Sequence, residues 1–132
     1  MTKLPNLDEY PTVMEFDEVS DLLEKIVQAA EDDRVLDLNR VIDLMVGAIS
    51  ALPHRLDKKL DMGVSSRILS WIESNWQRGD EEFADAAATV LLNINISCSE
   101  LRGCISELLA SEKREKVIGY LIECESEIHD AT

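Results

Sequence analysis

The sequence has few of the residues that build metal, cofactor and nucleotide sites. Among its 132 residues are three cysteines without a CxxC pair and two histidines, His54 and His129, which lie far apart. The five glycines are isolated, so they form no phosphate-binding loop. Carboxylates are abundant, but we expect them on wet helix faces, without the dry pocket that a general acid needs. We therefore expect no metal, no cofactor and no enzymatic activity.

Long apolar segments are also missing. No window approaches the roughly eighteen consecutive apolar residues that a membrane-spanning helix requires. The opening stretch, MTKLPNLDEYPTVMEF, lacks the apolar core of a secretory signal. Thiols without a pairing pattern are typical of a reducing compartment. These features predict a cytoplasmic protein.

Cations are scarce relative to anions. Lys and Arg number 13 against 27 Asp and Glu, which gives a formal net charge of −14. A field of this sign repels phosphate backbones and anionic lipid headgroups, so we expect no direct binding to nucleic acid or membrane. The same field speeds encounter with a basic protein. Solubility alone is the competing explanation for the charge.

The negative charge is concentrated in two parts of the chain. Residues 1–33 hold ten acidic and two basic residues, and residues 79–132 hold twelve acidic and four basic ones. Residues 34–78 hold five acidic and seven basic residues, and both tryptophans. Two acidic segments therefore flank a near-neutral middle.

What is abundant is helical periodicity. In 17–31, one helix face collects Val19, Leu22, Leu23, Ile26, Val27 and Ala30. Similar stripes follow to the end of the chain, without the alternation of strands. We predict an all-α chain of about six helices as antiparallel hairpins, forming either a compact bundle or a short HEAT-like solenoid. Residues 1–15 are predicted to be an extended N-terminal arm, and 16–132 a single α-helical domain.

Local signals place several helix ends. Asp33 is the expected N-cap of the second helix, which Pro53 should end. Asp80 and Ser97 are the expected starts of the fourth and fifth helices, and Gly79 should close the third.

Glycines within helical patterns form a separate signal. Gly47, Gly103 and Gly119 each lie inside such a pattern, where glycine costs about 1 kcal/mol against alanine. We expect close packing between helices to explain them.

The first acidic helix keeps its charge on one side. Asp17, Asp21 and Glu24 fall within about 60° of one another on a helical wheel, opposite the apolar stripe. Only Asp21 and Lys25 have the spacing of an i,i+4 ion pair, so the helix forgoes the stabilisation that mixed charges give. This one-sided charge favours a binding role.

We predict that the outward carboxylates of both acidic segments contact a basic protein partner. They are Asp17, Asp21 and Glu24 in the first segment, and Glu81, Glu82 and Asp85 in the second. Trp76 is a candidate anchor for the same partner, because tryptophan is enriched at interface hot spots. Packing of Trp76 in the core is the competing interpretation.

The stretches VIDLMVGAISAL, ILSWIESNW and DAAATVLLNIN, with SELRGCISELLASEKREKVIGYLIEC, resemble helical-repeat immunity proteins of bacterial toxin–immunity systems, including contact-dependent growth inhibition. The resemblance covers roughly residues 35–125 and rests on leucine spacing and general character. It implies a protein that binds one cognate toxin domain, often a basic nuclease, and blocks its active site or substrate groove. No functional residue follows from the resemblance. The alternative is a helical-repeat adaptor or scaffold, with or without self-association, and the oligomeric state stays open.

Overall fold

The computed structural model describes residues 4–33, 36–52 and 60–128, and every regular element in these ranges is helical. Short 3-10 turns lie at Leu7–Glu9 and Trp76–Arg78. The six α-helices are α1 (Phe16–Asp32), α2 (Leu38–Ser50), α3 (Met62–Asn75), α4 (Glu81–Leu92), α5 (Cys98–Ser111) and α6 (Glu115–Ser126). The predicted all-α class is confirmed for the described part of the chain.

Side-chain caps start α4 and α5 where the sequence predicts them. The Asp80 carboxylate accepts a hydrogen bond from the Phe83 N–H at 2.9 Å, and the Ser97 hydroxyl accepts one from the Glu100 N–H at 3.1 Å. Each bond satisfies an N–H that has no partner inside the helix.

The start of α2 differs from the prediction. Its N-cap is Asp37, whose carboxylate accepts a hydrogen bond from the Asn39 N–H at 3.0 Å. Asp33 instead closes α1, because its N–H donates to the Ala29 carbonyl at 3.0 Å. The predicted end at Pro53 and both histidines lie outside the described residues.

The helices pack as three stacked hairpins in two layers. α1 packs on α2 and α5 on α6, while Trp71 of α3 meets Phe83 of α4 edge to face at 5.8 Å. The even-numbered helices lie side by side in the order α2, α4, α6, and α3 lies beside α1. The segments on either side of α5 contact the second hairpin. Ser65 of α3 accepts a hydrogen bond from the Asn95 N–H, before α5, and Glu112, after α5, accepts one from the Trp76 indole. This order is that of the predicted short solenoid.

Neighbours within a layer run parallel. Near the starts of α2 and α4, Asn39 donates a hydrogen bond to Asp80 at 3.1 Å. Lys116 at the start of α6 lies 3.9 Å from Glu81 at the start of α4. The outward side of each layer is therefore a continuous surface built from like-directed helices.

The N-terminal segment covers the first hairpin. Met14 is buried, and its N–H donates to the Ala51 carbonyl at 2.9 Å. Leu7 lies against α2 at Gly47, where an added Cβ would come within 2.5 Å of the Leu7 Cδ1. The expected close packing at a helical glycine is thus present at Gly47.

The other two helical glycines do not follow that expectation. An added Cβ at Gly103 or Gly119 would meet no heavy atom within 4 Å, because both residues lie on exposed helix sides. Cys104 and Cys124 are buried in the core, as the apolar stripes predict.

None of the helices in the described ranges combines the length and apolarity needed to cross a membrane.

Candidate protein-interaction surface

The predicted anchor, Trp76, lies in the core. It is 1% exposed, and its indole N–H donates to the buried Glu112 carboxylate at 3.0 Å. Its ring also meets the Phe83 ring edge to face at 6.4 Å. Trp76 follows Ile72 by four residues and Leu69 by seven, and both are buried, so the helical period places it on the buried side of α3. The prediction of a surface anchor is corrected. Trp76 packs in the core, as the competing interpretation predicts.

Asp17, Asp21 and Glu24 are exposed on α1, on the outward side of the odd-numbered layer. Asp17 lies in the first helical turn, where a carboxylate is favourable because of the positive end of the helix dipole. Asp21 and Glu24 also line a groove of about 300 Å³ between α1 and α3. The helix dipole therefore accounts for the position of Asp17, whereas Asp21 and Glu24 face the groove.

Arg67 of α3 partly neutralises α1. Its guanidinium forms ion pairs with Glu31 and, at 3.7 Å, with Glu24, and it donates to Gln28 at 2.7 Å. The hydrogen bond to Glu31 is the main reason that the pKa of Arg67 is raised. Among the described residues, no Lys or Arg side chain forms an ion pair with Asp17 or Asp21.

Glu81, Glu82 and Asp85 are exposed on α4. Glu81 lies 3.9 Å from the Lys116 ammonium. Asp85 lines a groove of about 200 Å³ between α4 and α6, together with Tyr120. These carboxylates lie on the outward side of the even-numbered layer.

The two predicted sets lie on opposite sides of the molecule. α1 belongs to one layer and α4 to the other, and both pack against α2, which separates them. Each set points away from the buried stripe of its own helix. A single planar interface cannot contain both sets, so the two acidic segments are two separate surfaces.

The structure adds three carboxylates to the α1 side. Glu73 on α3 adjoins Glu100 and Glu107 on α5, and all three are exposed. Partial burial raises the pKa of Glu73, and the negative charges of Glu107 and Glu100 raise it further. Burial is the larger cause, and the nearby like charges add to it. The net charge of each sequence segment does not reveal this group, because Glu73 belongs to the near-neutral segment 34–78.

We call this surface the α1–α3–α5 face. Its carboxylates are Asp17, Asp21, Glu24, Glu73, Glu100 and Glu107. The exposed residues of α3 and α5 among them include Ser66, Ser70, Ser99, Ser106 and Gly103, together with the apolar Met62, which is 68% exposed. Small side chains leave the carboxylates accessible across a shallow surface, which suits contact with another protein better than enclosure of a small ligand.

Within the described ranges, no group of three or more His, Cys, Asp or Glu side chains is arranged to hold a metal ion. Burial raises the pKa of the Cys104 thiol to about 12 and that of Cys124 to about 11. Thiols with such values are poor nucleophiles at neutral pH.

Comparison with protein-family models, with curated proteins and with solved structures gives no match for this chain.

Proposed function

We propose that this chain is a non-catalytic binding protein, an immunity protein of the cytoplasm that neutralises a basic toxin domain. Its docking surface is the α1–α3–α5 face, and the toxin is a nuclease whose active site or substrate groove the bound chain covers. The observation that carries the proposal is the group of Glu73, Glu100 and Glu107. These carboxylates lie on α3 and α5, and partial burial followed by the negative charges of Glu107 and Glu100 raises the pKa of Glu73.

Repulsion among carboxylates is unfavourable in the unbound chain, and the cations of a partner would relieve it. A nuclease has a basic surface because it binds phosphates, so an acidic face is complementary to it. Complementary fields raise the rate of encounter, whereas the contacts at the centre of the interface set the lifetime of the complex. The proposed inhibition combines electrostatic attraction with steric occlusion.

The choice of this face over α4 rests on charge balance. Beside α4, Lys116 lies near Glu81, and the even-numbered layer also exposes Arg40 on α2. On the α1–α3–α5 face, Lys25 is exposed on α1, and Arg67 is half-buried with Glu24, Glu31 and Gln28 around it. The six carboxylates named for this face outnumber these two cations. The α4 carboxylates, which the sequence also predicts as contacts, lie outside this docking surface and serve as the matched control.

The stacked hairpins favour a second candidate function, that of an adaptor or scaffold. Solenoids of this kind present extended surfaces to partners without inhibiting them. An adaptor would bind a partner and leave the partner's activity intact. The two functions therefore differ in a measurable result.

The test uses the product of the reading frame next to the gene for this chain. That product should be toxic when expressed alone, and coexpression of this chain should restore growth. The purified pair should form a complex with one copy of each protein, and the toxin domain should lose its nuclease activity in that complex. A complex with full activity would support an adaptor, and a neighbouring product that is neither toxic nor bound would contradict both functions.

A further inference from the structure

One row of side chains on α1 offers hydrogen-bond acceptors along the whole helix. Asp17, Asp21, Glu24, Gln28 and Glu31 follow one another at spacings of four and three residues, and they fall within about 80° on a helical wheel. The spacing i, i+4, i+7 therefore occurs twice in this row. Its first section is 17, 21 and 24, and its second section is 24, 28 and 31.

Arg67 of α3 binds the second section of the row. Its guanidinium forms ion pairs with Glu31 and, at 3.7 Å, with Glu24, and it donates a hydrogen bond to Gln28 at 2.7 Å. A guanidinium can reach all three acceptors because its N–H donors form a planar fork. The structure therefore shows which kind of cation this spacing of acceptors holds.

α3 runs beside α1 in the same direction, so the first section of the row faces the start of α3. There the Asp61 N–H donates a hydrogen bond to the Ser20 hydroxyl at 3.1 Å. Further along both helices, Arg67 donates to Gln28. The residue one turn before Arg67, on the same side of α3, is Gly63. Where α3 would present a second cation to α1, it therefore has no side chain.

A groove of about 300 Å³ lies at Gly63, between α1 and α3. Its lining includes the exposed carboxylates of Asp21, Glu24 and Asp61, and Arg67 lies at the end where it pairs with Glu24. Among the described residues, no Lys or Arg side chain forms an ion pair with Asp21. Three carboxylates thus surround one guanidinium, and the groove has both the space and the charge for another.

We propose that this groove receives an arginine side chain of the basic partner, an inference that rests on the proposed function for the identity of that partner. The partner's guanidinium would bind the first section of the row as Arg67 binds the second. A lysine ammonium fits less well, because it lacks the planar fork that reaches several acceptors at once. A metal ion is a poorer occupant, since no group of carboxylates in the described ranges is arranged to hold one.

Gly63→Arg tests the site in the complex with the toxin domain. The new side chain lies one turn before Arg67 and should fill the groove, which raises the dissociation constant at least about tenfold. Gly63→Ala adds the same Cβ, 3.1 Å from the Asp61 Oδ1, without the charge, and should change the constant by less than about twofold. Gly103→Arg adds the same charge on α5, outside the groove, and should raise the constant by less than about threefold. Circular dichroism of each variant reports whether the helices are intact.

A peptide titration followed by NMR tests the groove without the toxin. Acetyl-Ala-Arg-Ala-amide should shift the backbone amide signals of Asp21 and Asp61 with a dissociation constant on the order of 1–10 mM. The signals of Glu81 and Asp85 on α4 should shift less, and acetyl-Ala-Lys-Ala-amide should have a smaller effect on the groove. In Gly63→Arg, the shifts at Asp21 and Asp61 should be lost.

The two experiments separate this site from the proposed function. A toxin domain that wild type and Gly63→Arg bind and inhibit equally would overturn the arginine site and leave the proposed function intact. Equal shifts with the lysine peptide, or larger shifts on α4, would also overturn the site. Arginine-specific shifts in the groove, together with a neighbouring product that is neither toxic nor bound, would support the site and contradict the proposed function.

Discussion

Replacing Glu112 with alanine removes an acceptor that joins the second and third hairpins. In the wild type, the Glu112 carboxylate accepts the Trp76 indole N–H at 3.0 Å and the Arg114 Nε–H at 2.6 Å. Arg114 also donates to the Gly79 carbonyl at 2.6 Å. The change therefore affects both the end of α3 and the turn before α6.

The magnitude follows from burial. The Trp76 indole N–H would lose its acceptor in the core, which costs about 1–3 kcal/mol for a buried donor. The Arg114 side chain is 33% exposed and can regain water, so its lost ion pair adds about 1 kcal/mol or less. We expect the free energy of unfolding to fall by about 3 kcal/mol, which lowers Tm by roughly 10 °C for a chain of this size.

Urea denaturation followed by circular dichroism and tryptophan fluorescence measures this change. Glu125→Ala, a change of an exposed carboxylate on α6, is the control and should alter stability by less than about 0.5 kcal/mol. In a Trp76→Phe background, Glu112→Ala should cost at least about 1 kcal/mol less, because no indole N–H is left without a partner. A loss below about 0.5 kcal/mol for Glu112→Ala would refute this description of the contact.

The pH dependence of stability gives an independent check of the Glu112 contact. The hydrogen bonds from Arg114 are the main reason that the pKa of Glu112 is lowered in the folded chain. The folded state therefore binds fewer protons than the unfolded state while the carboxyl titrates. The stabilisation is present above the unfolded pKa and is lost as the pH falls through the folded pKa. The difference in free energy of unfolding between the wild type and Glu112→Ala should thus become smaller below about pH 4.

Three further changes test other parts of the structure. Glu73→Gln should stabilise the chain by about 0.5 kcal/mol at pH 7, because it removes a partly buried charge and its repulsion by Glu107 and Glu100. The folded pKa of Glu73 is raised, so this gain is lost as the pH falls below about 4, and a gain that persists at pH 3 would contradict the carboxylate group. Gly119→Ala should stabilise the chain by about 0.5–1 kcal/mol, since its Cβ meets nothing within 4 Å. Gly79→Ala should destabilise the chain by about 1–3 kcal/mol, because its Cβ would overlap the Phe83 ring. Equal Tm values for Gly119→Ala and Gly79→Ala would refute this interpretation of the two glycines.

The fold could be predicted because its signals are local. Periodic apolar residues and the caps at Asp80 and Ser97 depend on neighbours only a few positions away. The predicted start of α2 is wrong because Asp33 and Asp37 are both suitable caps by residue type, and it is Asp37 that accepts the hydrogen bond from Asn39.

The candidate surface could be predicted only in part. The one-sided charge of α1 is visible on a helical wheel, as for Asp17 and Asp21. The grouping of Glu73 with Glu107 depends on which helices become neighbours, and residue spacing does not report that. For Trp76 the sequence leaves a surface anchor and a core position open, and the structure buries it beside Phe83 and Glu112.

The association rate with the toxin domain tests the central claim most directly. Two triple variants each remove three carboxylates from one side: Asp17→Asn/Asp21→Asn/Glu24→Gln and, as the charge-matched control, Glu81→Gln/Glu82→Gln/Asp85→Asn. Stopped-flow measurements at several salt concentrations should show at least a roughly fivefold slower association and a shallower salt dependence for the α1 variant at low salt. The α4 variant should change by less than about twofold. Equal effects of the two variants, or a larger effect of the α4 variant, would contradict docking through the α1–α3–α5 face.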